Sequence, residues 1–171
     1  MESSYELIFN SENKNISESL NFFPRKFLNN TFFHEFNFNK NDNLDIIFDK
    51  VIGDWNSFYL NEKIESFILV FNTKNLPSNI GVNYVFKMVG YVNKIKNLRK
   101  KNSQYNKLNG TIIMIENNSL RNLVNMLFNL SKPLSNVYIT GSVNDMNTLI
   151  NCLKYNKDKT CYPKKVRVIT P

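Results

Sequence analysis

Three short apolar runs stand out along the chain, at 66–71, 111–115 and 136–140. Each run is uncharged and rich in β-branched or aromatic residues, which is typical of a strand buried on both faces of a sheet. We therefore predict that all three lie in adjacent central strands of one sheet. The residues assigned to these strands include Ile68, Val70, Ile113, Ile115, Val137 and Ile139.

Apolar residues recur at helical spacing after each of these runs. They predict a long helix over about 82–98, a second over 120–130 and a third over 143–153. The spacing places Phe86 and Leu127 on buried helix faces. Truncation of either side chain to Ala should then cost about 3 kcal/mol of stability.

Polar residues at the starts of these helices suggest how their first turns are capped. Ser78 is the candidate N-cap of the first helix, and Asn118 or Ser119 is the candidate for the second. Ser142 precedes Asp145 by three residues before the third helix, which resembles a capping box with Asp in place of Glu.

The alternation of strand and helix requires crossover connections, which are right-handed and give parallel strands covered by helices. A last short strand is predicted at 166–169. The sequence thus predicts a single α/β domain over 1–171, with strand–helix repeats from 65 to 171. Its one mixed sheet should have parallel core strands.

The first sixty residues are aromatic, and we predict that they add further β-strands to the sheet. Residues 5–9 are a candidate short strand, and 31–39 alternates Phe with polar side chains as a half-exposed strand does. A turn signal at 41–43 precedes 44–48, which we assign to another strand. The pattern over 51–60 fits either a helix or a strand.

Composition and charge narrow the possible partners. Asparagine occurs 31 times and alanine never, which is typical of a strongly A/T-biased genome such as that of an amoeba, a protozoan parasite or a large DNA virus. The net charge of +8 and the isoelectric point near 9.4 favour nucleic acid, an anionic membrane or an acidic protein. Lysine codon bias explains the same excess equally well.

The N-terminal residues, the apolar runs and the cysteine content favour an intracellular protein, either cytoplasmic or within a virion if the protein is viral. Residues 1–10 carry two glutamates and lack the apolar core of a secretory signal. The longest uncharged apolar run, 66–71, is too short to span a bilayer. Cys152 and Cys161 are not expected to form a disulfide framework or a zinc site.

The motifs of common catalytic and nucleotide sites are missing from the sequence. No glycine-rich phosphate loop and no G-x-S-x-G elbow occurs. His34 and Glu35 are neighbours in a predicted strand, so they point to opposite faces and cannot form a dyad. We therefore interpret His34 as a structural or surface residue and predict a protein that is not an enzyme and needs no cofactor.

A cluster of acidic residues in the N-terminal part raises the question of a divalent cation. Asp45 and Asp49 would share one face only on a helix, whereas the local pattern is typical of a strand. We interpret the cluster as a solvated acidic edge and predict no metal site. Its members are Asp42, Asp45, Asp49 and Asp54.

The basic segment 94–107 is the strongest functional candidate. Clustered cations with a nearby Tyr105 are suited to a phosphate backbone or another polyanion. The alternative is that cations near a helix C-terminus complement the helix dipole. The candidate polyanion-binding residues are Lys94, Lys96, Arg99, Lys100, Lys101 and Lys107. A second basic group, which would join them if the tail folds back, comprises Lys154, Lys157, Lys159, Lys164, Lys165 and Arg167.

The run from Phe67 to Pro77, the strand 111–115, the helix end at 131–133 and the strand 137–142 together resemble the core of STAS domains. They are also similar to the CRAL-TRIO lipid-binding core. Both families have a mixed sheet with helices packed after successive strands. The resemblance covers roughly 44–155 and implies a STAS-like fold and an interaction function.

Antagonist-type STAS domains carry an Asp-Ser-Ser-Gly phosphoacceptor before the first long helix. The comparable stretch here, 77–81, reads Pro-Ser-Asn-Ile-Gly, which keeps one serine and the glycine but lacks the acidic residue. Ser78 is therefore the phosphoacceptor candidate that the resemblance implies. The alternative is that Ser78 serves only as a helix N-cap.

Three functions follow in order of preference. The first is a non-enzymatic STAS-like protein-interaction or structural module, such as a component of a viral particle or an intracellular assembly, with a protein partner or self-association. The second is a basic nucleic-acid-associated protein that uses 94–107. The third is binding of a lipid or small ligand by a CRAL-TRIO-like core.

Overall fold

The computed structural model describes residues 20–23, 31–155 and 157–171. In this part of the chain the strands are β1 (Leu20–Phe23), β2 (Thr31–Asn37), β3 (Ser66–Asn72), β4 (Leu108–Met114), β5 (Val137–Thr140) and β6 (Arg167–Ile169). The helices are α1 (Leu44–Leu60), α2 (Val82–Arg99), α3 (Asn118–Leu130) and α4 (Val143–Lys154). Two 3₁₀ turns lie at Ser103–Asn106 and Lys159–Cys161.

The six strands form one mixed sheet in the order β1-β2-β3-β4-β5-β6. Strands β2 to β5 are parallel to their neighbours, while β1 and β6 pair antiparallel at the two edges. The predicted α/β class and parallel core are confirmed, and the three apolar runs coincide with β3, β4 and β5 except for Ile115 and Asn136, which each lie one residue outside a strand. Helices on both faces exclude water from these strands, which is why they are apolar throughout.

Three helices cover one face of the sheet, because right-handed crossovers between successive neighbours place α1, α2 and α3 on the same side. Phe67 and Leu69 of β3 point to this face and pack in a cluster with Tyr59 of α1 and Ile95 of α2. Residues of β4 and β5 on the same face pack around Val124 of α3. The three helices therefore end at one common edge of the molecule.

The opposite face is covered by α4 and the segment that follows it. Ile68 and Met114 point to this side, since successive side chains of a strand alternate between faces. They belong to a cluster with Met146 and Leu149 of α4, against which Val166 also packs. The predicted closing strand is confirmed as β6.

The N-terminal part differs from the prediction in one element. Residues 44–48, which we assigned to a strand, form the beginning of α1. Asn43 caps this helix by accepting hydrogen bonds from the backbone N–H groups of Asp45 and Ile46. The two described N-terminal strands are β1 and β2, and the candidate strand at 5–9 lies outside the described residues.

The capping predictions have mixed outcomes. Ser142 accepts a hydrogen bond from the Asp145 N–H at 3.1 Å, which confirms the predicted cap of α4. The cap of α3 is Asn117, one residue before the predicted candidates. Gly81, not Ser78, precedes α2 and provides no side-chain cap, so the prediction for Ser78 is wrong.

The predicted burial of Phe86 is also wrong. Its side chain is 54% exposed, whereas Val85, Val92 and Ile95 are the buried residues of α2. Leu127 of α3 is only partly buried. Apolar residues occur on more than one side of α2, so their spacing alone did not determine which side faces the sheet.

The two cysteines, which were not expected to form a disulfide framework, are joined to each other. The disulfide links Cys152 of α4 to Cys161 of the second 3₁₀ turn. The cysteines were one reason to predict an intracellular location, so that prediction now has less support and stays a prediction. Among the described residues, no helix is both long and apolar enough to cross a membrane.

Candidate functional site

The basic segment lies at the C-terminal end of α2 and in the connection to β4. Lys94, Lys100 and Lys101 are exposed at the surface. Cations at this end of a helix interact favourably with its dipole. Lys100 and Lys101 directly follow the last turn of α2 and can stabilise the helix, and all three exposed lysines can contact a partner.

Three other cations of the segment are engaged in internal hydrogen bonds. The Lys96 ammonium donates to Ser131 Oγ at 3.0 Å, and the Lys107 ammonium donates to the Asn61 carbonyl at 2.8 Å. Arg99 Nε donates to the Tyr105 carbonyl at 2.8 Å, and its Nη1 donates to the carbonyl of Leu134. Lys96 and Arg99 tie α2 to the end of α3 and to the segment after it, while Lys107 ties the beginning of β4 to the end of α1. The three cations therefore contribute to the fold.

We expect Arg99→Ala to lower the free energy of unfolding by about 2 kcal/mol, because two carbonyls lose a charged donor. Chemical denaturation of the full chain measures this change. Lys100→Ala is the matched control, since an exposed lysine one residue further should change stability by about 0.5 kcal/mol or less. Equal effects of the two substitutions would contradict the structural role of Arg99.

Lys132, which the sequence analysis missed, belongs to the same group of cations. Burial and then the charges of Lys132 and Arg99 lower the pKa of Lys96. Lys132 directly follows Ser131, the hydrogen-bond partner of Lys96. Only the topology could have indicated Lys132, because successive parallel crossovers bring the C-terminal ends of α2 and α3 to the same edge of the molecule.

We call Lys94, Lys100, Lys101 and Lys132 the basic cluster. None of these four residues forms an ion pair with a carboxylate of the described residues. Lys94, Lys100 and Lys101 also have no acidic neighbour in the sequence, because no Asp or Glu lies between Glu65 and Glu116. That stretch contains eight cations: Lys74, Lys87, Lys94, Lys96, Arg99, Lys100, Lys101 and Lys107.

The second basic group does not extend the basic cluster. Lys154 ends α4, which packs on the opposite face of the sheet from α2 and α3. Its ammonium lies 5.5 Å from the centre of the Phe33 ring. The exposed Lys157, Lys159, Lys164 and Lys165 follow α4 in sequence. Arg167 of β6 instead reaches α3, where its Nη1 donates to Asn125 Oδ1 at 2.7 Å. The four exposed lysines that follow α4 therefore offer a matched control for the basic cluster.

A cleft of about 340 Å³ opens at the carboxyl ends of β3 and β4. Ser78 and Lys74 from the β3–α2 loop line one side, and Glu116 and Ser119 line the other. The Ser78 hydroxyl is exposed, and its role as a phosphoacceptor stays a prediction. Asn117 already accepts hydrogen bonds from the first N–H groups of α3, at Ser119 and Leu120.

His34 is a core residue. It is 4% exposed, and its ring lies 4.5 Å from the Phe36 ring and 4.8 Å from the Phe58 ring, measured between centroids. Burial, followed by the charge of Lys50, lowers the pKa of His34 to about 3. An imidazole that is neutral across the physiological range and enclosed by aromatic rings has a structural role in packing.

Asp45, Asp49 and Asp54 lie on α1 and Asp42 lies just before it, so the assumption of a strand was wrong for Asp45 and Asp49. Asp45 Oδ1 accepts hydrogen bonds from the Lys87 ammonium at 2.9 Å and from the Tyr84 hydroxyl at 3.0 Å. These bonds, the one to Lys87 first, lower the pKa of Asp45. Asp45 therefore joins α1 to α2. Across the described ranges, no three His, Cys, Asp or Glu side chains are grouped as metal ligands.

Comparison of the chain with protein-family models, with curated proteins and with solved structures found no match. The resemblance to STAS and CRAL-TRIO domains is therefore a hypothesis based on the strand and helix pattern alone.

Proposed function

We propose that the protein is a non-enzymatic interaction module that binds an acidic segment of a partner protein through the basic cluster. One observation carries the proposal. Lys94, Lys100 and Lys101 are exposed in the last turns of α2 and just after it, Lys132 is exposed just after α3, whose end is bonded to α2 through Ser131 and Lys96, and no carboxylate of the described residues pairs with the four lysines. Unneutralised cations attract acidic partners and orient them during association.

Several contacts favour a protein over a nucleic acid as the partner. The Tyr105 ring packs 5.2 Å from the Tyr59 ring, so it is engaged in the fold and less suited to stacking on a base. Lys96, Arg99 and Lys107 are fixed by internal hydrogen bonds. Nucleic-acid binding stays the second candidate, because the four remaining cations would also attract phosphates.

The proposal is tested by replacing Lys94, Lys100, Lys101 and Lys132 together with Ser. We expect the quadruple variant to bind a fluorescent polyglutamate peptide about tenfold more weakly, since each exposed charge pair contributes about 0.2–1 kcal/mol. Its affinity should also depend less steeply on salt. Fluorescence anisotropy at several salt concentrations measures both effects.

The matched control replaces Lys157, Lys159, Lys164 and Lys165 with Ser, which removes the same charge from the second basic group. This control should bind polyglutamate nearly as tightly as the wild type. Equal weakening by both quadruple variants would mean that only the net charge matters and would refute the proposal. Tighter binding of a single-stranded oligonucleotide of equal charge would favour the second candidate instead.

A further inference from the structure

The outward face of α2 is polarised along the helix. Val82, Phe86, Asn93, Asn97 and Lys100 follow one another at spacings of four, seven, four and three residues, which places them on one side of the helix. The first two are apolar, the middle two are uncharged and polar, and the last is a cation of the basic cluster. Apolar contact is therefore available at one end of this face and positive charge at the other.

The apolar end is exposed despite its composition. Val82 is 44% exposed and Phe86 is 54% exposed. The buried residues of α2 are Val85, Val92 and Ile95, so neither Val82 nor Phe86 belongs to the core. Their apolar surface is therefore available to a partner without any rearrangement of the core.

The C-terminal end of α3 extends the same surface. The Ser131 hydroxyl lies 3.3 Å from Asn93 Oδ1, so α3 ends beside the middle of the outward face of α2. Leu130 is 49% exposed, and Lys132 carries the fourth charge of the basic cluster. The surface formed by both helices thus combines exposed apolar groups with cations, and neither helix contains an Asp or a Glu.

From these observations we infer that the partner segment is amphipathic, with an apolar anchor that contacts Val82 and Phe86 and acidic residues that contact the basic cluster. This inference rests on the proposed function. Phe86 is separated from Lys94 and Lys101 by about 12 to 22 Å along α2, at a rise of about 1.5 Å per residue. The anchor and the acidic residues of the partner must span the same distance, which a helix of about 8–15 residues does.

Other occupants match this surface less well. A second copy that presents the same face would place cations against cations, and the net charge of +8 opposes association further. A nucleic-acid backbone would match the lysines but leave Phe86 without an apolar contact. An amphipathic acidic peptide complements both ends of the face.

The experiment compares two synthetic peptides of equal length and equal glutamate content. One carries Leu and Phe four residues apart at the end opposite the glutamates, and the other carries Ser at both positions. We expect Phe86→Ser to weaken binding of the peptide with Leu and Phe about tenfold at every salt concentration, because burial of an aromatic side chain does not depend on charge. Binding of the Ser peptide should not change.

The matched control is Ile46→Ser, which removes an apolar side chain that is 65% exposed on α1. It should leave both peptides unaffected. The double variant Lys100→Ser and Lys101→Ser should weaken binding of both peptides and make their affinity depend less steeply on salt. Thermal melts confirm that each variant is folded.

Three results would overturn the inference. These are equal effects of Phe86→Ser and Ile46→Ser, equal affinity of the wild type for the two peptides, and tighter Phe86-dependent binding to vesicles that contain phosphatidylserine. The first two leave the proposed function intact as long as the lysine variant still weakens binding. Failure of the lysine variant to weaken either peptide refutes the proposed function itself.

Discussion

Phe67→Ala should lower the free energy of unfolding by about 4 kcal/mol, within the range of about 3–5 kcal/mol for the loss of a buried Phe. Phe67 is fully buried in the cluster between the sheet and the first two helices. Its ring packs edge-on against Phe58 at 5.5 Å and Tyr59 at 5.1 Å. These rings belong to a well-packed layer that cannot close the resulting cavity, so both transfer and cavity contributions are lost.

Phe86→Ala is the control for this substitution, because it removes the same atoms from an exposed site. It should change stability by about 0.5 kcal/mol or less. Urea unfolding followed by the fluorescence of Trp55, the single tryptophan, measures both variants. A larger loss for Phe86→Ala than for Phe67→Ala would mean that the orientation of α2 on the sheet is wrong.

Acid should destabilise the wild-type protein through His34. Its pKa is about 3 in the folded protein because of burial and is near 6.5 when the chain unfolds. Below about pH 6.5 the unfolded state therefore binds a proton that the folded state does not, and stability falls as the pH decreases towards 3. Between about pH 7 and pH 4 the loss should reach about 3 kcal/mol, at about 1.4 kcal/mol for each pH unit.

His34→Gln isolates this contribution, because glutamine is neutral at every pH. The substitution also changes packing against Phe36 and Phe58, so the informative quantity is the pH dependence and not the stability at one pH. Carboxylates titrate in the same way in both proteins. The difference in unfolding free energy between wild type and variant should therefore change with pH, and parallel curves would contradict the assignment.

The central sheet could be predicted from the sequence because its strands are apolar on both faces. The runs in β3, β4 and β5 bear no charge, so they are stable only when the sheet buries them away from water. The helix-length segments between them require crossovers, so parallel pairing follows. The cap at Ser142 could also be predicted, since its hydrogen bond reaches only three residues along the chain.

The helix α1 could not be assigned with the same certainty. Val51, Trp55 and Phe58 do lie at helical spacing, but aromatic and β-branched residues also favour strands. Packing of these side chains against Phe67 and Leu69 selects the helix, and this contact joins positions far apart in the sequence. Local propensity alone was too weak to decide it.

The candidate site divides in the same way between sequence and tertiary structure. The sequence by itself determined that cations gather between 94 and 107 without a neighbouring acidic residue. Only the tertiary structure decided that Arg99 and Lys107 are held by distant carbonyls, that Lys132 joins the exposed lysines, and that Phe86 faces outward. Charge is a property of each residue, whereas its availability depends on which surfaces the packed helices leave exposed.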